Sequence, residues 1–212
     1  MINLCHNVGG AVGVTGKKLL FVVSGPSGVG KSTLCRHILK TIPDIRLSVS
    51  YTTRKPRSGE TDGKEYKFIS ETEFHTKISE HAFAEYAEVY GRLYGTPWKE
   101  LEQESGSNTD ILLDIDVQGA RQVMKTLQKA VTVFILPPSL EVLRTRLVER
   151  ATDTTDEQER RFQKSQDEMR SYSEYQYTIR NETLEQAIEE LQSVIMAERV
   201  RTTHIDAAHV FR

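Results

Sequence analysis

A chain of 212 residues with 38% hydrophobic and 27% charged residues has the composition of a globular protein, long enough to bury a sizeable core. Its formal net charge of −2 excludes the global basic field that holds nucleic acid, and the apolar run nearest the start, Leu19–Val23, is far too short to span a bilayer. Two cysteines, Cys5 and Cys35, form neither a disulfide framework nor a metal-ligand spacing, so a reducing cytoplasm is the simplest setting.

In chain order, residues 1–16 are Gly-rich and aperiodic and read as a flexible tail. Lys17-Lys18 ahead of the apolar run mimics a secretion signal, but Gly25-Pro26 stand where a cleavage site belongs, so no export signal is read. Leu19–Val23 reads as a short buried strand and Thr33–Leu39 as a helix that Pro43 ends. Between them stands Gly25-Pro26-Ser27-Gly28-Val29-Gly30-Lys31-Ser32, the Gly-x-x-x-x-Gly-Lys-Ser pattern of a phosphate loop. Strand, Gly-rich turn and helix N-terminus aim a helix dipole and a run of backbone N–H groups at phosphate; Lys31 reaches the outer phosphates and the Ser32 hydroxyl holds Mg²⁺. The nine residues Gly25 to Thr33 are therefore the expected ATP-binding segment.

The next stretch, Ser48 to Gly95, is polar and rich in Gly and charge, and too long for an ordinary loop, which predicts a small inserted lobe. It contains a strand-like piece, Tyr66–Ile69, and a helix opened by the capping-box tetrad Ser70-Glu71-Thr72-Glu73 with Phe74 and Ile78 on one face. Two apolar runs, Ile111–Asp116 and Val131–Leu136, read as parallel strands joined by a crossover helix from Gln118 to about Gln128. Ser139–Tyr172 is a helical tract dense in Arg and Glu, and Thr183-x-x-Gln186 caps a terminal helix with a stripe of Leu184, Ile188, Leu191 and Ile195. Strands alternating with helices predict an α/β layered domain with a parallel sheet.

A phosphate loop names a nucleotide, not a reaction. Ser50-Tyr-Thr-Thr-Arg54-Lys-Pro-Arg57 places two arginines three apart in a Pro-stiffened, hydroxyl-rich segment suited to bidentate phosphate binding, with Tyr66 and Tyr94 as further donors. A solvated basic loop is the alternative for this segment. Asp114, at the end of an apolar strand, is a carboxylate that burial makes costly unless it has work to do, and it stands where nucleotide-binding α/β proteins place an acid near Mg²⁺, acting directly or through water.

The phosphate loop, Ser48-Val-Ser-Tyr-Thr-Thr-Arg54-Lys-Pro-Arg57-x-Gly-Glu60-x-x-Gly63-x-x-Tyr66-x-Phe68, Tyr94-Gly95-Thr96 and Leu113-Asp114-Ile115-Asp116-Val117-Gln118-Gly119 stand in this order, and together they resemble a guanylate kinase from about Lys18 to beyond Leu191. The resemblance implies a three-layer P-loop nucleotide kinase core with a parallel sheet, an inserted small α+β GMP-binding lobe and a helical lid. It divides the chain into core at 17–50, 105–138 and 172–212, GMP lobe at 51–104 and lid at 139–171. It implies transfer of the γ-phosphate of ATP to GMP, and to dGMP, with Mg²⁺ as cofactor, in purine nucleotide metabolism and GMP recycling.

By the same resemblance Ser50, Arg54, Arg57, Tyr66 and Tyr94 clamp the GMP phosphate, while Glu85, Thr96 and Asp116 read guanine. Arg146, Arg150 and Arg161 are the phosphate-facing lid arginines and join Lys31, Arg54 and Asp114 in catalysis. Asn181 falls near the adenine of ATP. Three residues carry a second reading: Glu85 as a solvated helix residue, Asp116 as a helix cap, and Asn181 as a cap ahead of Thr183. The chain departs from the family pattern at Ala151, where Gly is common, and at Arg180-Asn181-Glu182. An interaction module of the same fold would lack an intact phosphate loop, and a kinase acting on a ribose bisphosphate would not need Glu85, Thr96 and Asp116 together. No exposed apolar stripe distinguishes a monomer from a homo-oligomer.

Overall fold

The computed structural model describes residues 18–57, 59–102, 109–149 and 155–204. Two sheets organise it. The strands β1 (Leu20–Ser24), β2 (Ile45–Leu47), β7 (Asp110–Asp114), β8 (Val131–Leu136) and β9 (Tyr177–Arg180) form an all-parallel sheet in the order β2-β7-β1-β8-β9. The strands β3 (Ser50–Thr52), β4 (Tyr66–Phe68), β5 (Phe83–Val89) and β6 (Arg92–Pro97) form a second, mixed sheet in the order β4-β3-β6-β5. The helices are α1 (Lys31–Thr41), α2 (Glu71–Ser79), the one-turn α3 (Trp98–Leu101), α4 (Val117–Thr126), α5 (Leu140–Glu149), α6 (Thr155–Met169) and α7 (Leu184–Arg199).

The central strands read as unbroken apolar runs because both of their faces are covered. Phe21 and Val23 point to one side, into a core with Leu34 and Ile38 of α1 and Leu191 and Ile195 of α7. Val22 points to the other, against Val117, Ala120 and Val123 of α4. Helix, sheet and helix thus make three layers. Within the first layer Leu143, Leu147 and Phe162 join α5 and α6 to the core. Each such side chain contributes about 1.5–3 kcal/mol on burial, whereas the exposed Arg144–Glu159 pair between the same helices is worth under about 1 kcal/mol. Apolar packing therefore carries the α5–α6 contact. Among the described residues no helix is long and apolar enough to cross a membrane.

Local signals act where their chemistry requires. Ser70 Oγ accepts from Glu73 N–H and starts α2, and Thr183 Oγ1 accepts from Gln186 N–H and starts α7. The run Ile111–Asp116 is corrected at its end: β7 stops at Asp114, because Asp116 Oδ1 accepts from Gly119 N–H at 2.8 Å and turns the backbone into α4. The helical tract after Ser139 is two helices, α5 and α6, rather than one. Strands β2 and β9 escape the sequence reading. They are the outer strands, with few fully buried positions, and lack the apolar run that marks a central strand.

Candidate active site

The site lies where the carboxyl ends of β1 and β7 face the second sheet, the place at which open parallel sheets bind ligands. The phosphate loop leaves β1 and enters α1, whose cap Gly30 offers no side chain and whose first turn carries no acid. The positive end of the α1 dipole is therefore left for an anion. Two glycines are dictated by space as well as by positive φ. A Cβ on Gly25 would sit 2.4 Å from the Ile135 carbonyl oxygen of β8, and one on Gly30 would sit 2.6 Å from Asn181 Nδ2. Lys31 Nζ lies along the loop, donating to the carbonyls of Gly25 at 2.7 Å and Pro26 at 3.2 Å.

Ser32 Oγ donates to Asp114 Oδ2 at 2.5 Å, bringing the loop hydroxyl and the strand-end carboxylate into one pair. Two hard oxygen donors suit Mg²⁺, which takes few protein ligands and relies on phosphate and water for the rest. No cluster of three or more His, Cys, Asp or Glu side chains able to hold a metal by itself occurs among the described residues. The pair thus fits a metal that arrives with a nucleotide.

Opposite the loop, the register of the second sheet sets Glu85 of β5 against Thr96 of β6. Thr96 Oγ1 donates to Glu85 Oε1 at 2.6 Å and lies 3.0 Å from Ser50 Oγ of β3. Ser50, Glu85 and Thr96 are all buried. Burial pushes the Glu85 carboxyl up to about 7; the Thr96 hydroxyl pulls it back and the Asp116 carboxylate pushes it further. Glu85 is on a strand, so it is not a solvated helix residue, and Asp116 caps α4 while also lining the cavity.

Tyr66 and Tyr94 meet edge to face with ring centroids 5.9 Å apart. Burial, with the Asp114 carboxylate next in weight, raises the Tyr66 phenol well above its ordinary range, which makes it a standing donor. Arg54 lies over the Tyr66 ring at 4.9 Å and makes a bidentate pair with Glu60, both contacts at 2.6 Å. That pair holds Glu60 below the usual carboxylate range. Arg57 is exposed, and its backbone N–H donates to Glu60 Oε2 at 2.8 Å.

One cavity gathers Gly25, Ser27, Gly28, Gly30, Lys31, Ser32, Ser50, Arg57, Tyr66, Glu85, Tyr94, Asp114 and Asp116. Arg54 and Thr33 line a side groove that shares Ser32, Ser50, Arg57, Tyr66 and Asp114 with it. Thr96 stands behind Glu85 and Ser50, and Val29 points into the core. Asn181 caps nothing, since Thr183 caps α7; it is buried, donating through Nδ2 to the Val29 carbonyl at 2.7 Å. Arg146 is half-buried on α5, and Arg150 lies outside the described residues. The Arg161 guanidinium sits 4.6 Å from the ring centre of Tyr90.

Tyr90 and Glu168 line the same cavity and went unread in the sequence. Tyr90 and Gly91, both at positive φ, are the two central residues of the β5–β6 hairpin. That turn has the primed geometry suited to a two-residue loop, and it was the available signal. Glu168 had none, being one acid among many on a charged helix.

Residues 17–198 match the family model for guanylate kinase. The chain is 48% identical over 187 residues to the guanylate kinase of Geobacter sulfurreducens, an overlap of 88% of this chain and 92% of that one. It is 47% identical over 192 residues to the guanylate kinase of Symbiobacterium thermophilum, covering 91% of each. The crystal structure of guanylate kinase from Anaplasma phagocytophilum superposes with a TM-score of 0.77 at 32% identity, over 92% of this chain and 94% of that one. A phosphate loop facing a second, carboxylate-lined pocket across one cleft agrees with these likenesses: the chain belongs to the guanylate kinase family and is a nucleoside monophosphate kinase.

Proposed function

We propose that the cleft binds GMP or dGMP against the second sheet and Mg²⁺·ATP against the phosphate loop, and passes the γ-phosphate across to give GDP or dGDP and ADP. The reaction, ATP-dependent phosphorylation of GMP, is that of the family. The observation that carries the residue assignment is the buried Ser50–Thr96–Glu85 relay beside Asp116, across the cleft from Lys31 and Ser32. Guanine offers donors at N1 and N2 and an acceptor at O6. Carboxylates at Glu85 and Asp116 take the donors, and the hydroxyls of Thr96 and Ser50 serve O6 by turning a proton to it from the Glu85 and Thr96 acceptors they otherwise bond. Adenine, with an acceptor at N1, leaves these buried groups unpaired, a mismatch worth on the order of 10⁴-fold in well-built sites.

Arg54, Arg57, Tyr66, Tyr94 and Ser50 hold the GMP phosphate, with Glu60 orienting Arg54. The nucleophile is an oxygen of that phosphate, already deprotonated near neutral pH, so no side chain need act as a general base. Catalysis consists of alignment and charge neutralisation. The loop residues Gly25 to Thr33 hold ATP, Lys31 exchanges its two loop carbonyls for phosphate oxygens, and Arg146, Arg150 and Arg161 close over the transferred group. Mg²⁺, held by Ser32 and by Asp114 directly or through water, supplies charge neutralisation when bound. Asn181 supports ATP binding by fixing the loop. Lid closure excludes water, which otherwise takes the phosphoryl group and wastes ATP.

The lobe at 51–104 selects the acceptor together with Ser50 and Asp116 from the core, the segment 139–171 acts as lid, and the rest of the core binds the donor. Cysteine usage supports a cytoplasmic setting. ADP release measured with GMP, dGMP, AMP, CMP and UMP as acceptors tests the assignment. High turnover on GMP and dGMP with poor turnover on the others is expected, and equal rates on GMP and AMP overturn it.

A further inference from the structure

We propose that Gly119 is a positioning residue for acceptor selection: its missing side chain is the space in which the Glu85 carboxylate lies, while its amide holds Asp116. The inference rests on the reading of Glu85 and Asp116 as the guanine-facing pair.

Gly119 lies in the first turn of α4, a regular helical stretch, and is not among the glycines at positive φ. Its backbone conformation therefore suits any residue, and alanine is the better helix former there. What excludes alanine is Glu85. A Cβ on residue 119 would stand 2.3 Å from Glu85 Oε2, 3.0 Å from Glu85 Cδ and 3.3 Å from Asp116 Oδ1. The first of these is far inside van der Waals contact, so one partner has to move.

Neither the helix nor the far carboxylate oxygen can shift without giving up a hydrogen bond. Gln122, one turn along α4, clamps the helix to β5: its Nε2 donates to the Tyr86 carbonyl at 2.7 Å and its Oε1 accepts from Tyr86 N–H at 3.2 Å. Tyr86 follows Glu85 directly, so helix and strand are tied beside the contact. On the other side Glu85 Oε1 is fixed by Thr96, itself fully buried and paired with Ser50. A methyl group at 119 therefore rotates the carboxylate off its Thr96 partner. The same glycine donates its N–H to Asp116 Oδ1 at 2.8 Å. Both carboxylates proposed to face the acceptor are thus placed against a single residue that is not among those lining the cavity.

The test is Gly119→Ala in the full-length enzyme, with steady-state kinetics on GMP and AMP and a thermal unfolding curve. The expected result is a KM for GMP raised about tenfold or more, a KM for ATP within about twofold of wild type, and a GMP-over-AMP ratio of kcat/KM reduced about tenfold. A merely structural role would move both substrates and the unfolding temperature together. A GMP KM and a selectivity ratio that both stay within about twofold of wild type overturn the inference.

Glu85→Gln, assayed alongside, separates it from the reading beneath. Retained selectivity in Glu85→Gln sinks the guanine-reader assignment. Lost selectivity there, with full selectivity in Gly119→Ala, sinks this inference alone. The Glu85→Asp/Gly119→Ala double variant examines the contact itself, because a carboxylate one methylene shorter vacates the space. Adding Gly119→Ala to Glu85→Asp should cost less than about twofold in GMP KM, a strong departure from additivity; additive costs overturn the proposal. If Gly119→Ala alone does not fold, recovery of folded protein in the double variant supports the contact, and failure to recover overturns it.

Discussion

The side-chain amide of Asn181 donates to the carbonyl oxygen of Val29 at 2.7 Å, tying the end of β9 to the middle of the phosphate loop. Asn181 is itself held by its backbone N–H, which donates to the Leu136 carbonyl at 2.9 Å. The loop is thus braced from behind by a residue 152 positions away in sequence. Removing the amide leaves the buried Val29 carbonyl unpaired, at a cost of about 1–3 kcal/mol. Asn181→Ala should lose that much stability in urea unfolding. It should also raise the KM for ATP several-fold while leaving the KM for GMP near wild type.

The Ser32–Asp114 pair joins loop and sheet at the point where a metal would sit. Asp114→Asn keeps the shape and a hydrogen-bond acceptor but removes the charge. Substitutions at and around metal ligands typically cost 10–100-fold in metal affinity or activity. The variant should fold normally and require roughly that much more Mg²⁺ for half-maximal turnover, read from kcat against Mg²⁺ concentration. An unchanged Mg²⁺ requirement would place the metal elsewhere.

Burial raises Glu85 to about 7, well above an unfolded glutamate. The folded state therefore binds more protons than the unfolded one between about pH 4.5 and 7, and stability contributed through this group falls as pH rises through that window. Relative to Glu85→Gln, the wild type should gain on the order of 3 kcal/mol between pH 8 and pH 4.5. With Glu85 as the proposed guanine reader, acceptor binding runs the opposite way, because the N–H donors of guanine need the ionised form. The KM for GMP should rise roughly tenfold from pH 8 to pH 6. The GMP phosphate titrates near the same pH, so Glu85→Gln, which keeps only the phosphate contribution, is the control.

Arg161 of α6 rests 4.6 Å from the ring centre of Tyr90, with Lys164 Nζ on the same ring at 5.1 Å. A hairpin of the second sheet thereby meets α6, the helix that carries Arg161 of the proposed lid. Cation–π contacts of this kind are worth about 0.5–2 kcal/mol. Tyr90→Ala should lower kcat several-fold, and Tyr90→Phe, which keeps the ring, should stay close to wild type. Equal losses in the two variants would assign the effect to the hydroxyl.

Much of this protein is written locally. The phosphate loop is eight contiguous residues whose glycines, lysine and serine each answer a requirement of phosphate binding, and the central strands announce themselves because Phe21, Val22 and Val23 are all buried. Caps at Ser70 and Thr183 are equally local, since donor and acceptor stand three residues apart. The outer strands β2 and β9 and the register of the second sheet are not local, because partners in other strands create them.

The same division runs through the site. Residue identity marked Lys31, Ser32, Arg54, Arg57 and Asp114 as candidates, because their chemistry suits phosphate and metal. Only the tertiary structure decided that Asn181 braces the loop, that Tyr90 meets Arg161, and that Gly119 makes room for Glu85. An amide, a ring and a missing methyl group carry no function of their own. They acquire one from a neighbour 34 to 152 residues away, and a single strand of sequence holds no distance between them.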